Sequence, residues 1–469
     1  MENIKKQPIL KLPAKASAWY IASGGLARAI GALSTPIFTR LLTPAEYGLY
    51  PLYNTWVGVL TVLVTLELTG GAIYRGFQKY EDKKNEFTTA VLGLLGAIFV
   101  AFCSLYFAFY SLFESFIGLN VRVSMFMLSQ IFASAVISLY LARARFEYKY
   151  KAVALLNILS AISVPLISIF IILLTNLRAE ARIYASSATT LIMAIPIVVI
   201  IIKGSEKLYS KEIWRYLLGR SIPLLPHYLA SALILKASEI SINRSHGTEA
   251  LGQYSIALSI GMILTIVTSG LLSALSPWTI RKIREGGIDK IRDLLFGITK
   301  ILSLISLIIL AFAPEILSFL AAEEFRTSLP AVYPLEVAVI FSFLSGVTVS
   351  ACSYYEKGAL TSLPSIAGAT VSVLLSFILL PRLDYRLAGV ITLICYLVMA
   401  LLSSLVFKKL SGELPINIKN SILVFFLTAV YATLLFMFRG VLLSRIFLTM
   451  PLVPLLILST KDIWLRIRE

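Results

Sequence analysis

Charge is scarce in this chain. Only 14% of its 469 residues are Asp, Glu, Lys or Arg, where a soluble globular protein needs about a quarter to cover its surface. Histidine is almost missing, with His227 and His246 alone. The three cysteines, Cys103, Cys352 and Cys395, fall inside apolar runs and lie too far apart for a metal motif or a disulfide framework. There is no G-x-x-x-x-G-K-[ST] loop for nucleotide phosphates and no H-E-x-x-H. No connection between apolar runs is long enough to be a soluble domain. These gaps exclude ATP-driven transport within the chain. They also speak against a membrane glycan polymerase or ligase, which needs carboxylates or histidines gathered on a sizeable loop. No enzymatic activity, metal or cofactor is expected. A cleavable signal peptide is not expected either, because the first apolar run is too long and lacks an A-x-A-like exit.

What is abundant is apolar surface: 58% of residues are hydrophobic and the mean hydropathy is +0.86. Apolar runs of about 20 residues recur, each long enough to cross a hydrocarbon core about 30 Å thick. In lipid the backbone must satisfy its own hydrogen bonds, so such runs mean helices. The chain reads as an all-α integral membrane protein with about fourteen spans: 17–42, 47–73, 88–113, 122–142, 152–176, 183–202, 217–242, 253–275, 294–318, 332–355, 359–380, 388–407, 419–438 and 445–460. Lys and Arg concentrate on one side, at the N-terminus, after Arg75, Arg143, Lys203, Arg281, Lys357 and Lys408, and at the C-terminus. By the positive-inside rule both termini are cytoplasmic. Most of the net charge of +17 is thereby assigned to loops facing an anionic lipid leaflet, and nucleic acid is not an expected partner. On the other side, "APEILSFLAAEEFRTSLP" (313–330) is the longest connection. It is mostly apolar, so Glu323 and Glu324 read as a solvated face and not as a catalytic pair.

One phrase occurs twice. "FTRLLTPAEYGLYPLY" (38–53) joins spans 1 and 2, and "INRSHGTEALGQYSIA" (242–257) joins spans 7 and 8. A shift of 204 residues places Arg40, Gly48 and Tyr50 on Arg244, Gly252 and Tyr254. Six spans intervene between the copies, an even number, so the two halves share orientation. That pattern marks a parallel repeat of two six-helix lobes in pseudo-twofold relation. The expected division is a first lobe with its linker at 1–209, a second lobe at 210–407, and two C-terminal helices at 408–469. Two cytoplasmic stretches, 203–218 and 276–293, mix basic, acidic and apolar residues and read as amphipathic segments on the inner leaflet.

Fourteen spans, a six-plus-six arrangement and "FTRLLTPAEYGLY" closing span 1 resemble the polysaccharide-repeat flippases. These are the Wzx-type transporters of the multidrug/oligosaccharidyl-lipid/polysaccharide (MOP) superfamily. The segment "RSIPLLPHYLASALILKASEISINR" (220–244) is similar to the start of that family's second lobe. The resemblance implies translocation of an undecaprenyl-pyrophosphate-linked oligosaccharide from the inner to the outer leaflet of a bacterial plasma (inner) membrane. It implies a polysaccharide polymerase as a partner besides the substrate and membrane lipids. It leaves the sugar unspecified. A cation-coupled drug exporter and a peptidoglycan-precursor flippase are the alternatives within the superfamily.

Ionisable groups inside spans cost at least about 2.5–3.5 kcal/mol each, so each needs a reason. Arg28 lies near the middle of span 1, and Gly24, Arg28, Gly31 and Thr35 share one helical face. Either this face packs tightly, with Arg28 in an internal salt bridge to a group such as Glu67, or it walls a cavity where the guanidinium meets phosphate. Asn54, Gly58, Thr61 and Thr65 form a similar stripe in span 2. In span 7, simple periodicity lines up Arg220, His227, Ser231 and Ser238. The repeat instead selects Tyr228, Ala232, Leu235 and Glu239, with Lys236 adjacent, and this second face is favoured because it hides Lys236 and Glu239 from lipid. Lys236 and Glu239 are spaced to pair with each other. The expected cavity residues are therefore Arg28, Arg220, Lys236, Asn54 and Thr35. With no nucleotide site, directionality falls to Na⁺ or H⁺ or to the membrane potential, and Glu67 and Glu239 are the expected coupling groups.

Overall fold

The computed structural model describes residues 11–205, 207–355 and 357–468. Every described element is helical, and the chain divides into two compact units, residues 1–232 and 233–469. Unit 1 contains α1 (Lys11–Leu41), α2 (Pro44–Thr65), α3 (Gly71–Lys79), α4 (Lys84–Ala108), α5 (Tyr110–Ile117), α6 (Val121–Phe146), α7 (Tyr150–Leu174), α8 (Ala181–Gly204) and α9 (Lys211–Ser221). The next helix, α10 (Leu225–Gly261), carries the chain into unit 2. There follow α11 (Thr265–Arg284), α12 (Ile288–Ala311), α13 (Ala313–Leu320), α14 (Leu329–Cys352), α15 (Gly358–Leu379), α16 (Ala388–Ser411), α17 (Ile418–Met437), α18 (Leu442–Thr449) and α19 (Leu452–Arg468).

All fourteen expected spans fall on helices. Among the described residues ten are individually long and apolar enough to cross a bilayer, and an eleventh is the bent pair Lys211–Gly261 with Thr265–Arg284. The spans that do not qualify alone are the first two and the seventh and eighth, on α1, α2, α10 and α11. These four helices carry or adjoin the doubled phrase. Their polar residues lower their hydropathy, and those residues include most of the expected cavity groups. The second span also ends earlier than expected. The α2 helix stops at Thr65, with Leu66 and Glu67 both in left-handed backbone (φ 48° and 49°), so Glu67 lies in the turn to α3 and not in a helix.

Unit 1 is built on α1 against α7 and on α8 against α6 and α7. Phe77, Phe87, Val91, Leu95, Val136, Leu139 and Ile201 form its buried apolar core. A buried polar network ties three helices together. The Tyr53 hydroxyl of α2 donates to Gln130 of α6 at 2.8 Å and lies 2.9 Å from Ser187 of α8, which itself bonds Gln130 at 3.0 Å. The amphipathic α9 docks on this unit: Ile213 and Leu217 are buried, and the Trp214 indole N–H donates to Ala90 O at 2.9 Å.

In unit 2, α14 is the most enclosed of the apolar helices. It packs along α16, and also against α11 and α12. At Gly389 the α16 backbone approaches so closely that a Cβ would lie 2.6 Å from Ala331 O, a contact only glycine permits. Helices α17 and α19 cover α12. Arg445 of α18 is almost fully buried and makes two hydrogen bonds to Glu315 of α13, at 2.7 and 2.6 Å, with a further bond to Ala311 O. The Arg445 guanidinium holds the Glu315 carboxyl below the usual carboxylate range, against the opposing effect of burial.

Candidate functional site

The two units present different chemistry. In unit 1 the Gly24–Arg28–Gly31–Thr35 face of α1 is open, since a methyl group at Gly24 or Gly31 would meet no atom within 4 Å. Arg28 is exposed and makes no side-chain hydrogen bond or ion pair among the described residues. Glu67 has no ion pair there either, so the Arg28–Glu67 salt bridge is not formed. Of the two expected readings of this face, tight packing fails. Thr35, Thr61 and Thr65 each turn their hydroxyls onto their own helix, at Gly31 O (3.1 Å), Val57 O (2.6 Å) and Thr61 O (2.7 Å). Such back-bonding lets a threonine line a wall without an unpaired donor. Asn54 is half-buried.

Beside that face lies a cavity of about 370 Å³, lined by α1, α2, α7 and α8; of the face only Gly31 lines it, and the expected cavity residues Arg28, Thr35 and Asn54 do not. Small and polar side chains form much of it: Gly31 and Ser34 of α1, Asn157 and Ser160 of α7. Among the described residues its one charged lining residue is Arg182, in the first turn of α8. Three aromatic rings hold this guanidinium, with Tyr50 at 4.1 Å, Phe38 at 4.3 Å and Tyr47 at 5.2 Å from ring centroid to Cζ. Stacking covers the apolar faces of the guanidinium and leaves its N–H edge to donate. The Nη1 atom is buried with no hydrogen-bond partner among the described residues. A buried donor left unpaired costs about 1–3 kcal/mol, so the site favours an oxygen-rich or anionic guest. No carboxylate among the described residues lines the cavity. Arg182 escapes sequence reading because it falls in a connection, where positive charge reads as topology, and because its rings come from distant helices.

The remaining expected residues are dispersed. Arg220 is exposed at the end of α9, stacked 4.8 Å over Tyr216. In unit 2, Lys236 donates to both oxygens of Glu239, at 3.0 and 2.8 Å, and Glu239 is only 3% exposed. Lys236 and Glu239 therefore pair, as their spacing predicts. On the other face of α10, Ser238 is buried 2.8 Å from Ser376 of α15, and Ser231 bonds its own helix at His227 O. Both serines serve packing or helix geometry. A second residue absent from the sequence reading is Glu336 of α14, fully buried and with both carboxyl oxygens unpartnered among the described residues. No group of three or more His, Cys, Asp or Glu residues able to hold a metal occurs among the described residues.

A family model described as "Polysaccharide biosynthesis protein" matches residues 14–283, more than half of the chain. The chain belongs to that family. No curated protein matches this sequence. Solved structures share the fold of this polysaccharide biosynthesis protein at low identity. A structure titled lipid II flippase MurJ, in an inward closed conformation, aligns with a TM-score of 0.71 and 14% identity, covering 96% of this chain and 99% of the other. An inward-facing multidrug resistance MATE family transporter of the MOP superfamily aligns at 0.65 and 17%, covering 82% and 96%. A MOP superfamily transporter from Pyrococcus furiosus Vc1 (DSM3638), whose title describes a binding pocket of reverse polarity, aligns at 0.57 and 15%, covering 85% and 96%. The fold is that of MOP superfamily transporters. The protein is a multi-pass membrane protein.

Proposed function

We propose that this polysaccharide biosynthesis protein flips an undecaprenyl-pyrophosphate-linked oligosaccharide from the inner to the outer leaflet of a bacterial inner membrane. The observation that carries the reading is the unit 1 cavity, where a guanidinium with an unpaired N–H faces small and polar side chains and no carboxylate. Such a wall attracts phosphate and sugar oxygens. It does not suit the cationic drugs that a carboxylate-lined site would draw. The prenyl chain stays in lipid while the head passes by alternating access, and both termini are cytoplasmic, a reading supported by the distribution of Lys and Arg. Arg28, on its open face, guides the head toward the same unit. A polysaccharide polymerase then consumes the delivered unit.

The test uses a strain lacking the gene, complemented with wild type, Arg182→Ala or Arg28→Ala. The expected result is loss of surface glycan with Arg182→Ala at unchanged protein abundance, and partial recovery with Arg182→Lys. Normal glycan in the Arg182→Ala strain overturns the reading. Altered drug sensitivity with intact glycan would point to the exporter. The likeness to a lipid II flippase favours one further reading, a peptidoglycan-precursor flippase, whose head carries the same pyrophosphate. Rescue of a strain depleted of its own precursor flippase would select it.

A further inference from the structure

Unit 2 holds a carboxyl group that its surroundings do not explain. Glu336 is 0% exposed and neither oxygen has a hydrogen-bond partner among the described residues. It lies seven residues from the start of α14, or about 10 Å along the helix, inside an apolar span. A charged carboxylate without a partner at that depth costs several kcal/mol, so the group is stable there only as the neutral acid.

Among the described residues no neighbouring charge offsets this cost. Glu315 is committed to Arg445 on α18. Lys300, in the middle of α12, folds over Phe296 at 4.3 Å. Lys236 of α10 is held by Glu239. Arg326 pairs with Glu323, and Arg386 with Asp384. The charges of α11 (Arg281, Lys282, Arg284), of α16 (Lys408, Lys409) and Lys419 of α17 sit at helix ends.

Two features make the position more than a buried oddity. The Pro330–Tyr333–Pro334–Val337 face of α14, adjacent to Glu336 by helical periodicity, lines a cavity of about 270 Å³ shared with α16 and α17. On another side, Gly261 of α10 presses on the α14 backbone, so that an added Cβ would lie 2.5 Å from Leu335 Cβ and 3.4 Å from Glu336 N. Immediately after Gly261 the chain bends by 49° between α10 and α11. Glu336 thus stands at the level of this bend.

We propose that Glu336 is a proton-binding switch, protonated in the conformation described here and able to release its proton only when movement at the α10–α11 bend admits water to its level of unit 2. Proton binding then favours the closed arrangement and proton loss the opened one, because the ligand shifts the equilibrium by its differential affinity for the two states. This supplies a coupling ion for the proposed flippase and moves that role from Glu67 and Glu239, the first in a turn and the second neutralised by Lys236, to a third carboxyl.

The experiment uses the full-length protein in liposomes without cargo, so its outcome is independent of the flippase reading. Dicyclohexylcarbodiimide, which reaches apolar sites and reacts with protonated carboxyls, is applied across a pH series and Glu336 modification is read by peptide mapping. Modification of wild-type Glu336 is expected at neutral pH and a fall of at least tenfold as pH rises. The buried thiols of Cys352 and Cys395 in the same unit report opening: at high pH a maleimide should label them faster in wild type than in Glu336→Gln, which mimics the neutral acid. Unmodified Glu336 at every pH, modification that does not change with pH, or equal thiol labelling in the two proteins overturns the proposal. If Glu336→Gln does not accumulate, the wild-type carbodiimide series alone decides.

Discussion

At Leu41–Thr43 the chain leaves α1 and enters α2 through a capped turn, whereas at Gly247 the second copy of the same phrase passes from helix to helix through one non-helical residue. The first turn is closed by side chains. Thr43 Oγ1 accepts from the Glu46 N–H at 3.3 Å, and Glu46 Oε2 accepts from the Thr43 N–H at 2.9 Å. The second is closed by backbone freedom, since Gly247 has φ 82° and ψ 177°, a region open essentially to glycine alone. The tyrosines that follow have also parted. Tyr50 is half-buried under Arg182, while Tyr254 is 1% exposed in the packed interior of unit 2. A repeated sequence has therefore kept its joint and changed its use. In unit 1 the tyrosine serves a cavity, and in unit 2 it serves the core.

Truncating the two tyrosines should break that comparison most sharply. Tyr254→Ala removes a fully enclosed ring and is expected to cost about 3–5 kcal/mol, seen as a large drop in thermal unfolding midpoint and in membrane abundance. Tyr50→Ala should cost about 1 kcal/mol, the size of one cation–π contact at a partly exposed site. It should lower surface glycan more than it lowers stability. Equal destabilisation by the two changes would show that Tyr50 is also a core residue and that the cavity assignment is wrong. Next in size, Gly247→Ala forces a side chain into the glycine-only region and is expected to cost about 1–3 kcal/mol. Gly48 lies in regular helix within α2 and meets no such backbone constraint.

The same contrast explains what could be read before any coordinates existed. The spans were legible because lipid leaves the backbone one solution, and α4, α6, α7, α8, α12 and α14 to α17 lie where apolar runs predict. The Lys236–Glu239 pair was legible because both residues sit on one helix three apart. Arg182 was not, because its meaning comes from Phe38, Tyr47 and Tyr50 on two other helices, and in sequence it is one more arginine near Arg178. Glu336 was hidden differently. Nothing basic stands three or four residues away, at Val332, Tyr333, Val339 or Ile340, so local spacing offers no partner and only burial reveals that none arrives from elsewhere. The end of α2 was misplaced because residues 66–69, "LELT", continue the apolar pattern, while the left-handed backbone at Leu66 stops the helix.

The smallest expected effect tests how the first joint is held. Thr43→Ala removes one half of the capping box and should cost about 1 kcal/mol. Glu46 has a second duty, accepting from Arg178 Nε at 3.0 Å while Arg178 also donates to Leu41 O. The Glu46–Arg178 pair is largely solvent-exposed on the arginine side, with 49% of that side chain accessible, and exposed pairs contribute about 0.2–1 kcal/mol and weaken in salt. The capping hydrogen bonds do not depend on screening in that way. Arg178→Gln should therefore lose its small effect as salt is raised, whereas Thr43→Ala should keep its own. Because Thr43 and Arg178 meet on the same carboxylate, the double variant should cost less than the two single changes added. Strict additivity would mean that the turn between α1 and α2 is held by two independent contacts, and that its likeness to the single-residue joint at Gly247 is closer than the geometry suggests.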